Sequence, residues 1–516
     1  MNLFNLENLS KNKYFHLLII IILSSIIIFN YLGETSLNNW DEGTYAQVAK
    51  EMTTSNDWLT LHHKNNTFWD KPPLNIWLTA LTYNIFGINE FTARFWSGIF
   101  GLLAIIFTYL IGRKLFNPII GLFSALILLT IKQFMFFHAI RSGDTDITLT
   151  FFILAAIYFF IKKEDNSRYI YLTGLFTGLA ILTKSAVGLL PVIILVLYCL
   201  IKKDFKIFKK KKTFIAAGIT LAITLPWHLI QFIINHDLFM KEFVYNHMIK
   251  LATGPNQIHL GKWFFYISTV FNSNNNMWFI FILFALIYLV IKLFSEKNKF
   301  NYLLFIGIIA PFVIFSSIQT KIWWYIFPAY PFLSIMTGKM IFEGLNKNNR
   351  LATWLTISSL VLTFYLIRNI ISFQLSIGLI IILLVIIILK KQKLKQIMII
   401  FLIFIIFMSL FISAFEKTNH NYTRNSKNIS EFALNNCNNN SSIVDDYNIN
   451  LLLPADYFYL NQLYENIYIG NIECEIFITY ENKTKFSNNE KIKSIKLTEE
   501  YKRLNKIEPL IIIKRK

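Results

Sequence analysis

Apolar runs of roughly 16 to 24 residues recur along most of this chain, the length an α-helix needs to cross a bilayer, and no other feature restricts its fold as much. They begin near Tyr14, Thr92, Ile119, Thr145, Tyr169, Ala186, Thr213, Met277, Asn301, Ile322, Leu351, Phe373 and Gln396. Of 516 residues, 55% are hydrophobic and 16% charged. A soluble protein carries roughly 25% charged residues. The expected fold class is therefore an all-α polytopic membrane protein with about thirteen transmembrane helices. The first run, Tyr14 to Tyr31, lacks a small-residue cleavage site and reads as a retained span instead of a removed signal.

The loops between runs alternate in charge. One set contains Lys11 and Lys13, Arg113-Lys114, Lys162-Lys163, Lys202 to Lys212, Lys292 to Lys299, Lys347 to Arg350 and Lys390 to Lys395. The other holds single cations: Arg141, Lys184, Lys321 and Arg368. By the positive-inside rule the first set is cytoplasmic. The N-terminus is then inside, and an odd number of spans puts the C-terminus outside. The net charge of +20 is mostly this topology signal. Its cations are split among loops instead of forming one patch, so a nucleic-acid partner is not expected.

The apolar pattern stops at about Phe415. Residues 1–415 are expected to form the membrane domain, with a first outer loop over 34–91, and 416–516 a small α+β domain on the outer face. That segment is Asn-rich, with short mixed runs at Ile443-Val444, Tyr457-Phe458-Tyr459 and Ile476 to Thr479. Cys437 and Cys474 lie in it, where a disulfide is chemically permitted but not specified by sequence.

Three outer segments carry ionisable residues, which are costly near a bilayer and usually functional there. The first opens Trp40-Asp41-Glu42-Gly43-Thr44-Tyr45. Tyr45, Val48, Ala49 and Met52 then give the stripe of an amphipathic helix lying on the membrane, with Asp41 at its mouth. Asp is a good N-cap, but Asp41 and Glu42 beside Trp40 exceed what a cap requires. The second is Asp70-Lys71-Pro72-Pro73, where the prolines hold Lys71 extended before an amphipathic segment from Leu74 to Phe86. Such a rigid mount suits a lysine that meets a phosphate or carboxylate; an ordinary loop is the plainer reading.

The third is Arg141-Ser142-Gly143-Asp144-Thr145-Asp146, at the start of a span. Asp144 as N-cap and Asp146 favoured by the helix dipole would explain it structurally; a polar site explains it equally well. Lys184 and Lys321 taken singly read as interfacial anchors. Together, Lys71, Arg141, Lys184 and Lys321 put four cations on the side of the carboxylates, which suits an anionic lipid head group. The long outer loop adds His236, His247 and His259, and a histidine with Asp70 or Asp41 could complete a metal site. His62-His63 read as surface residues. No Walker loop, dinucleotide glycine pattern or CxxC pair occurs.

Asp41-Glu42-x-x-Tyr45, Asp70 to Pro73, Asn89-Glu90-Phe91-x-Ala93-Arg94, the helix start at Asp144, Leu182-Thr183-Lys184, Leu225-Pro226-Trp227 and Lys321-x-x-x-Tyr325-x-x-Pro328 occur in this order. In this the chain resembles the GT-C membrane glycosyltransferases related to protein O-mannosyltransferases, and above all the bacterial lipid A aminoarabinose transferases. The resemblance covers roughly Asp41 to Ser334. It implies an enzyme of the bacterial inner membrane, acting as a monomer, with a polyprenyl-phosphate-linked sugar as donor. The sugar passes with inversion to a lipid A, protein or glycan acceptor on the outer face.

Carried over by motif, Asp41 and Asp144 are catalytic carboxylates, with Glu42 beside them. Lys71, Arg141, Lys184, Lys321 and Tyr325 form the donor-phosphate site, and Tyr45, Asp146 and Arg94 the pocket. Asp70 and His247 are the candidate pair for a divalent metal; no other cofactor is expected. The Lys-Gly-Pro usual after Leu-Thr is here Lys184-Ser185-Ala186, which weakens Lys184 as a phosphate ligand. A transporter or lipid flippase is the alternative. Such proteins carry charges and helix breaks at mid-membrane, whereas these charges cluster at one face.

Overall fold

The computed structural model describes residues 12–38, 41–64, 66–136, 138–250, 253–254, 261–271, 278–296, 298–345, 349–367, 442–445, 475–480, 489–495 and 510–515. The expected spans from Phe373 and Gln396, the boundary near Phe415, Trp40, His259, Cys437 and Cys474 lie outside the described residues.

Helix α1 (Lys13–Phe29) precedes the first loop, which contains α2 (Asp41–Ser55), a two-residue hairpin of β1 (His62–His63) and β2 (Asn66–Thr67), and α3 (Leu74–Phe86). The bundle continues with α4 (Glu90–Leu115), α5 (Pro118–Leu129), α6 (Thr145–Lys162), α7 (Tyr169–Lys184), α8 (Leu190–Ile201), α9 (Lys211–Ile234), α10 (Phe279–Ser295), α11 (Lys299–Ser317), α12 (Tyr330–Leu345) and α13 (Arg350–Ile367). Five runs among the described residues are long and apolar enough to cross a membrane by length and composition: α4, α6, Tyr169–Ile201 (which holds α7, a turn and α8), α9 and α11. Four shorter apolar helices, α1, α5, α10 and the Arg350–Leu362 part of α13, accompany them. The chain is an integral membrane protein.

Local sequence explains where these helices begin. Asn89 caps α4 in a reciprocal box with Thr92, and Arg113 and Lys114 sit in its last turn, where the dipole favours cations. Asn117 accepts from the Ile119 and Ile120 amides at the start of α5, with Pro118 at the first helical position. Helices α4 and α5 approach closely because Gly121 has no side chain; a Cβ there would lie 2.5 Å from the Tyr109 carbonyl oxygen.

Helix α6 is the central post. Of its apolar stretch 83% is buried, against 17% for α9, which is mostly exposed. Packed against α4 and α7, α6 presents its N-terminus to the first loop. Between α7 and α8 the chain turns back through a 3₁₀ segment, Ser185–Leu189, entered at Ser185 with φ +42°. Near the C-terminus, strands β3 (Ser442–Asp445), β4 (Glu475–Tyr480), β5 (Asn489–Ile495) and β6 (Leu510–Arg515) form a sheet in the order β3-β4-β6-β5. The β3–β4 pair is parallel and the other two are antiparallel. The mixed runs at Ile443-Val444 and Ile476 to Thr479 fall within β3 and β4.

Candidate active site

Three pieces distant in sequence meet at one end of α6: the first turn of α2, the Asp70 to Pro73 corner, and the loop from His138 to Asp146. Helix α2 begins at Asp41 itself, so Asp41 lies in the first turn and not before it. The expected stripe of Tyr45, Val48, Ala49 and Met52 is buried, but so are Ala46, Gln47 and Lys50. The helix is thus enclosed by protein on more than one side instead of resting on lipid by a single face. Pro73 stands just before α3, which runs over the Leu74 to Phe86 segment read from sequence. Asn75 of α3 accepts a hydrogen bond from Thr148 of α6 at 3.0 Å, and Trp227 Nε1 of α9 donates to the Leu59 carbonyl at 3.0 Å. These contacts fix the loop over the α6 terminus.

The clamp beneath the site is Glu42 with Arg94, both almost fully buried. Arg94 Nε lies 2.6 Å from Glu42 Oε1, and its Nη2 donates to Glu42 Oε2 at 3.1 Å. The same guanidinium donates to the carbonyls of Leu32, Thr35 and Ser36. Glu42 also accepts from the Asn38 amide at 2.6 Å and the Gly143 amide at 2.9 Å. One ion pair thereby ties the end of α1, the start of α2, α4 and the Asp144 loop together. Glu42, expected beside the catalytic carboxylates, thus has both oxygens engaged, and Arg94, expected in the pocket, has its guanidinium turned onto Glu42 and three carbonyls.

Two of the four expected phosphate cations are engaged by backbone carbonyls. Arg141 Nη1 donates to the carbonyls of Ile27, Ile28 and Asn30 at 2.7 to 2.9 Å, closing the C-terminus of α1. Lys321 Nζ donates to the carbonyls of Phe315, Ser316 and Ile318 and closes the end of α11. Long basic side chains satisfy orphan helix carbonyls well, and both of these do so here.

What remains converges. Asp144 is buried; its Oδ2 accepts from Ser142 Oγ, and its Oδ1 has no hydrogen-bond partner. Asp146, one helical position into α6, pairs with Lys184 at 2.6 Å, and the Lys184 ammonium lies 4.5 Å from the centre of the Tyr325 ring. Lys71 makes no ion pair or hydrogen bond among the described residues; its ammonium lies 5.9 Å from the centre of the Tyr45 ring. Burial first, and then the fields of Asp41, Asp144, Asp70 and Asp146, push the Tyr45 phenol well above its ordinary value. That ordering gives the electrostatic character of the place: four carboxylates face one ring.

His138 belongs to the same group and was not singled out from sequence. Its Nδ1 lies 3.3 Å from Asp144 Oδ2, and its ring stacks on Trp324 with centroids 3.6 Å apart and planes at 14°. One donor atom each from Asp41, His138 and Asp144 falls within 4.8 Å of the others. Burial opposes protonation of His138, but Asp144, with Asp41 and Asp146 behind it, lifts its imidazole to about 9. Only its position six residues before Asp144 hinted at this.

The other expected pair is formed. His247 Nε2 lies 2.6 Å from Asp70 Oδ1. Burial opposes ionisation of Asp70, but the His247 contact, with Lys71 and His63 nearby, leaves its carboxyl below the usual range. A carboxylate oxygen and an imidazole nitrogen suit a zinc-like cation. They supply two protein ligands where a catalytic site usually has three, and here the two touch each other directly in a hydrogen-bonded pair.

A family model described as dolichyl-phosphate-mannose-protein mannosyltransferase matches residues 70–230. A protein of Aquifex aeolicus is 30% identical over 311 residues, covering 59% of this chain and 68% of that one. The undecaprenyl phosphate-alpha-4-amino-4-deoxy-L-arabinose arabinosyl transferase 1 of Pseudomonas fluorescens is 26% identical over 335 residues, covering 63% of this chain; the chain spans 58% of that enzyme's length. In fold, the chain superposes on ArnT from Cupriavidus metallidurans bound to undecaprenyl phosphate with a TM-score of 0.70, at 18% identity, over 96% of this chain and 97% of that one. With its first-loop carboxylate and lysine set against the entrance of a central span, the chain belongs to the GT-C membrane glycosyltransferases of the protein O-mannosyltransferase-like superfamily.

Proposed function

We propose that this protein transfers a sugar from a polyprenyl-phosphate carrier to an acceptor on the extracytoplasmic face of a bacterial inner membrane, with inversion at the anomeric carbon. The carrying observation is Lys71, without an ionic partner among the described residues, held on a double-proline corner next to the Tyr45 ring, on which the charges of Asp41 and Asp144 also act. The orientation rests on the positive-inside pattern. The Pseudomonas and Cupriavidus relatives, named for undecaprenyl-phosphate aminoarabinose or bound to undecaprenyl phosphate, support a carrier of that class. A thirteen-span layout with an outer domain over 416–516 completes the reading, with a monomer as the working unit.

A phosphate leaving group needs little protonation. As the bond from the anomeric carbon to the phosphate oxygen breaks, charge develops on that oxygen, and Lys71 is the group to stabilise it. Asp146 holds Lys184 beside Tyr325, a second positive edge whose charge is already balanced. A hydroxyl acceptor attacks the opposite face of the sugar and passes its proton to Asp41 as general base. An acceptor that is itself a phosphate needs no base, and Asp41 then orients the donor. Asp70 and His247 would hold a divalent cation, which when bound supplies Lewis-acid neutralisation of a phosphate.

The test is reconstitution of the purified protein with a panel of polyprenyl-phosphate sugars and an envelope extract as acceptor source. Free polyprenyl phosphate is followed by mass spectrometry. Release with one sugar, abolished in Asp41→Asn, is the expected result. No release from any donor would overturn the proposal for that panel and favour the transporter alternative.

A further inference from the structure

Far from the site, at the other end of the bundle, α7, α8 and α9 enclose a groove of about 170 Å³. Its walls include Ile170, Leu195 and Cys199, and it opens sideways at Val192, Phe208 and Ala217, which are exposed. A dry apolar cavity of about 150 Å³ is known to take up benzene. This one has the size and lining for a stretch of hydrocarbon. Two contacts hold its shape. Thr220 Oγ1 donates to the Gly174 carbonyl at 2.8 Å, and a Cβ on Gly174 would lie 2.1 Å from the Ala216 oxygen, so α7 and α9 touch through glycine.

The mouth of the groove is formed by the 3₁₀ segment Phe205–Lys209. Ile207 is buried beneath it, and Thr213 Oγ1 donates to the Ile207 carbonyl at 2.7 Å. Phe205 and Phe208 are left 53% and 37% exposed, the pattern of a segment dipping into acyl chains. Around them stand Lys206, Lys209, Lys210 and Lys211, none of which has an ion pair or hydrogen bond from its side chain among the described residues. By contrast Lys202 pairs with Glu164 at 3.5 Å, and Lys212 donates to Ser167. Asp204 is the single acidic residue between Ile201 and Thr213.

We infer that this is a seat for an anionic diacyl phospholipid of the cytoplasmic leaflet. One acyl chain would lie in the groove between α8 and α9, and the head-group phosphate would meet the four unpaired lysines. Positive-inside bias alone accounts for basic residues in the loop. It does not account for their surrounding two exposed phenylalanines at the mouth of an apolar groove. The two features are complementary to the two ends of one molecule, a charged head and a hydrocarbon tail.

The full chain, purified and exchanged into neutral detergent, is incubated with phosphatidylglycerol or with phosphatidylcholine of the same acyl chains, and retained lipid is counted by native mass spectrometry. At least tenfold preference for phosphatidylglycerol is expected. It should be lost in Lys206→Gln/Lys209→Gln/Lys210→Gln/Lys211→Gln, and equally lost in Ala217→Trp, whose new ring fills the groove while the lysines stay. Position 217 lies at the exposed mouth of the groove, so the larger side chain is compatible with folding, and the thermal midpoint of each variant checks this. If a variant does not fold, the wild-type preference and its suppression by salt decide. No preference, or a preference that survives Ala217→Trp, would overturn the inference. Displacement of phosphatidylglycerol by equimolar undecaprenyl phosphate would overturn it too, by making the carrier the occupant.

Discussion

Replacing Glu42 separates a scaffold role from a chemical one. Its carboxylate receives two hydrogen bonds from Arg94 and one each from the Asn38 and Gly143 amides, all in a buried setting. Removing one partner of a buried ion pair costs roughly 3–5 kcal/mol, because the other charge is left uncompensated. Each orphaned amide adds about 1–3 kcal/mol. Arg94 keeps its contacts to the Leu32, Thr35 and Ser36 carbonyls, which soften the loss without cancelling its charge. Glu42→Ala should therefore lose about 5 kcal/mol, a large part of the roughly 5–15 kcal/mol that holds a typical protein together. Glu42→Gln keeps the shape and one acceptor oxygen and should lose about half as much. Glu42→Leu/Arg94→Met, which removes both charges, should recover part of the loss. Thermal unfolding in detergent, read beside sugar transfer at a temperature where each variant is folded, distinguishes the roles. A Glu42→Gln protein with an unchanged midpoint and a turnover as low as that of Asp41→Asn would refute the positioning role and return Glu42 to the chemistry.

Lys71→Ala should lower kcat/KM for the lipid-linked donor about a hundredfold, with Lys71→Arg recovering part of it and neither changing the midpoint; equal donor kinetics in both would remove Lys71 from the phosphate site. Burial lowers the Lys50 ammonium to about 8, with Glu51 opposing. An unfolded lysine titrates near 10.4, so the unfolded chain binds more protons between those values and stability rises with pH across that window. Lys50→Met should flatten the rise and raise the midpoint at pH 7, by up to about 3 kcal/mol; a rise of unchanged slope in the variant counts against it. For the metal pair, chelation and His247→Ala should each lower turnover at least tenfold, by about 1.4 kcal/mol in barrier, and should not add. A protein that purifies without metal and is indifferent to chelation would exclude the pair as a metal site.

Much of this could be read from the chain because local chemistry wrote it. Pro72-Pro73 forced a break and α3 begins right after it; Tyr45, Val48, Ala49 and Met52 share a helical face and are buried. Asp70 and His247 were paired only through the family resemblance, and the geometry brings them together. The backbone contacts of two expected cations were not legible, for a common reason. Arg141 and Lys321 bond to backbone carbonyls at helix ends, and a carbonyl carries no residue identity for a sequence to display. His138 was hidden differently. It adopts a left-handed backbone at φ +50°, which L-residues rarely hold, and stacks on Trp324, a residue distant in sequence. Neither the turn nor the long-range contact leaves a pattern in the residues around it.

That hidden histidine completes the charge balance of the site. Asp41, Asp144 and Asp146 bring three negative charges; Lys71 and Lys184 bring two positive ones, and His138 is the third, protonated up to about pH 9 by the carboxylates it faces. The three pairings are unequal. Lys184 touches Asp146, and His138 lies against Asp144, whereas Lys71 stands away from Asp41 with an aromatic ring as its neighbour. Among these six groups neither sign is in excess, and Lys71 is the one cation of the three that touches no carboxylate; Asp70, paired with His247, adds its charge beside them. Attraction of an arriving phosphate therefore comes from local geometry and not from a long-range field. Screening acts on charges farther apart than the Debye length of about 10 Å at 0.1 M salt. Donor association should accordingly depend weakly on ionic strength, and replacing His138 with a neutral residue should make the site net negative and the dependence visible.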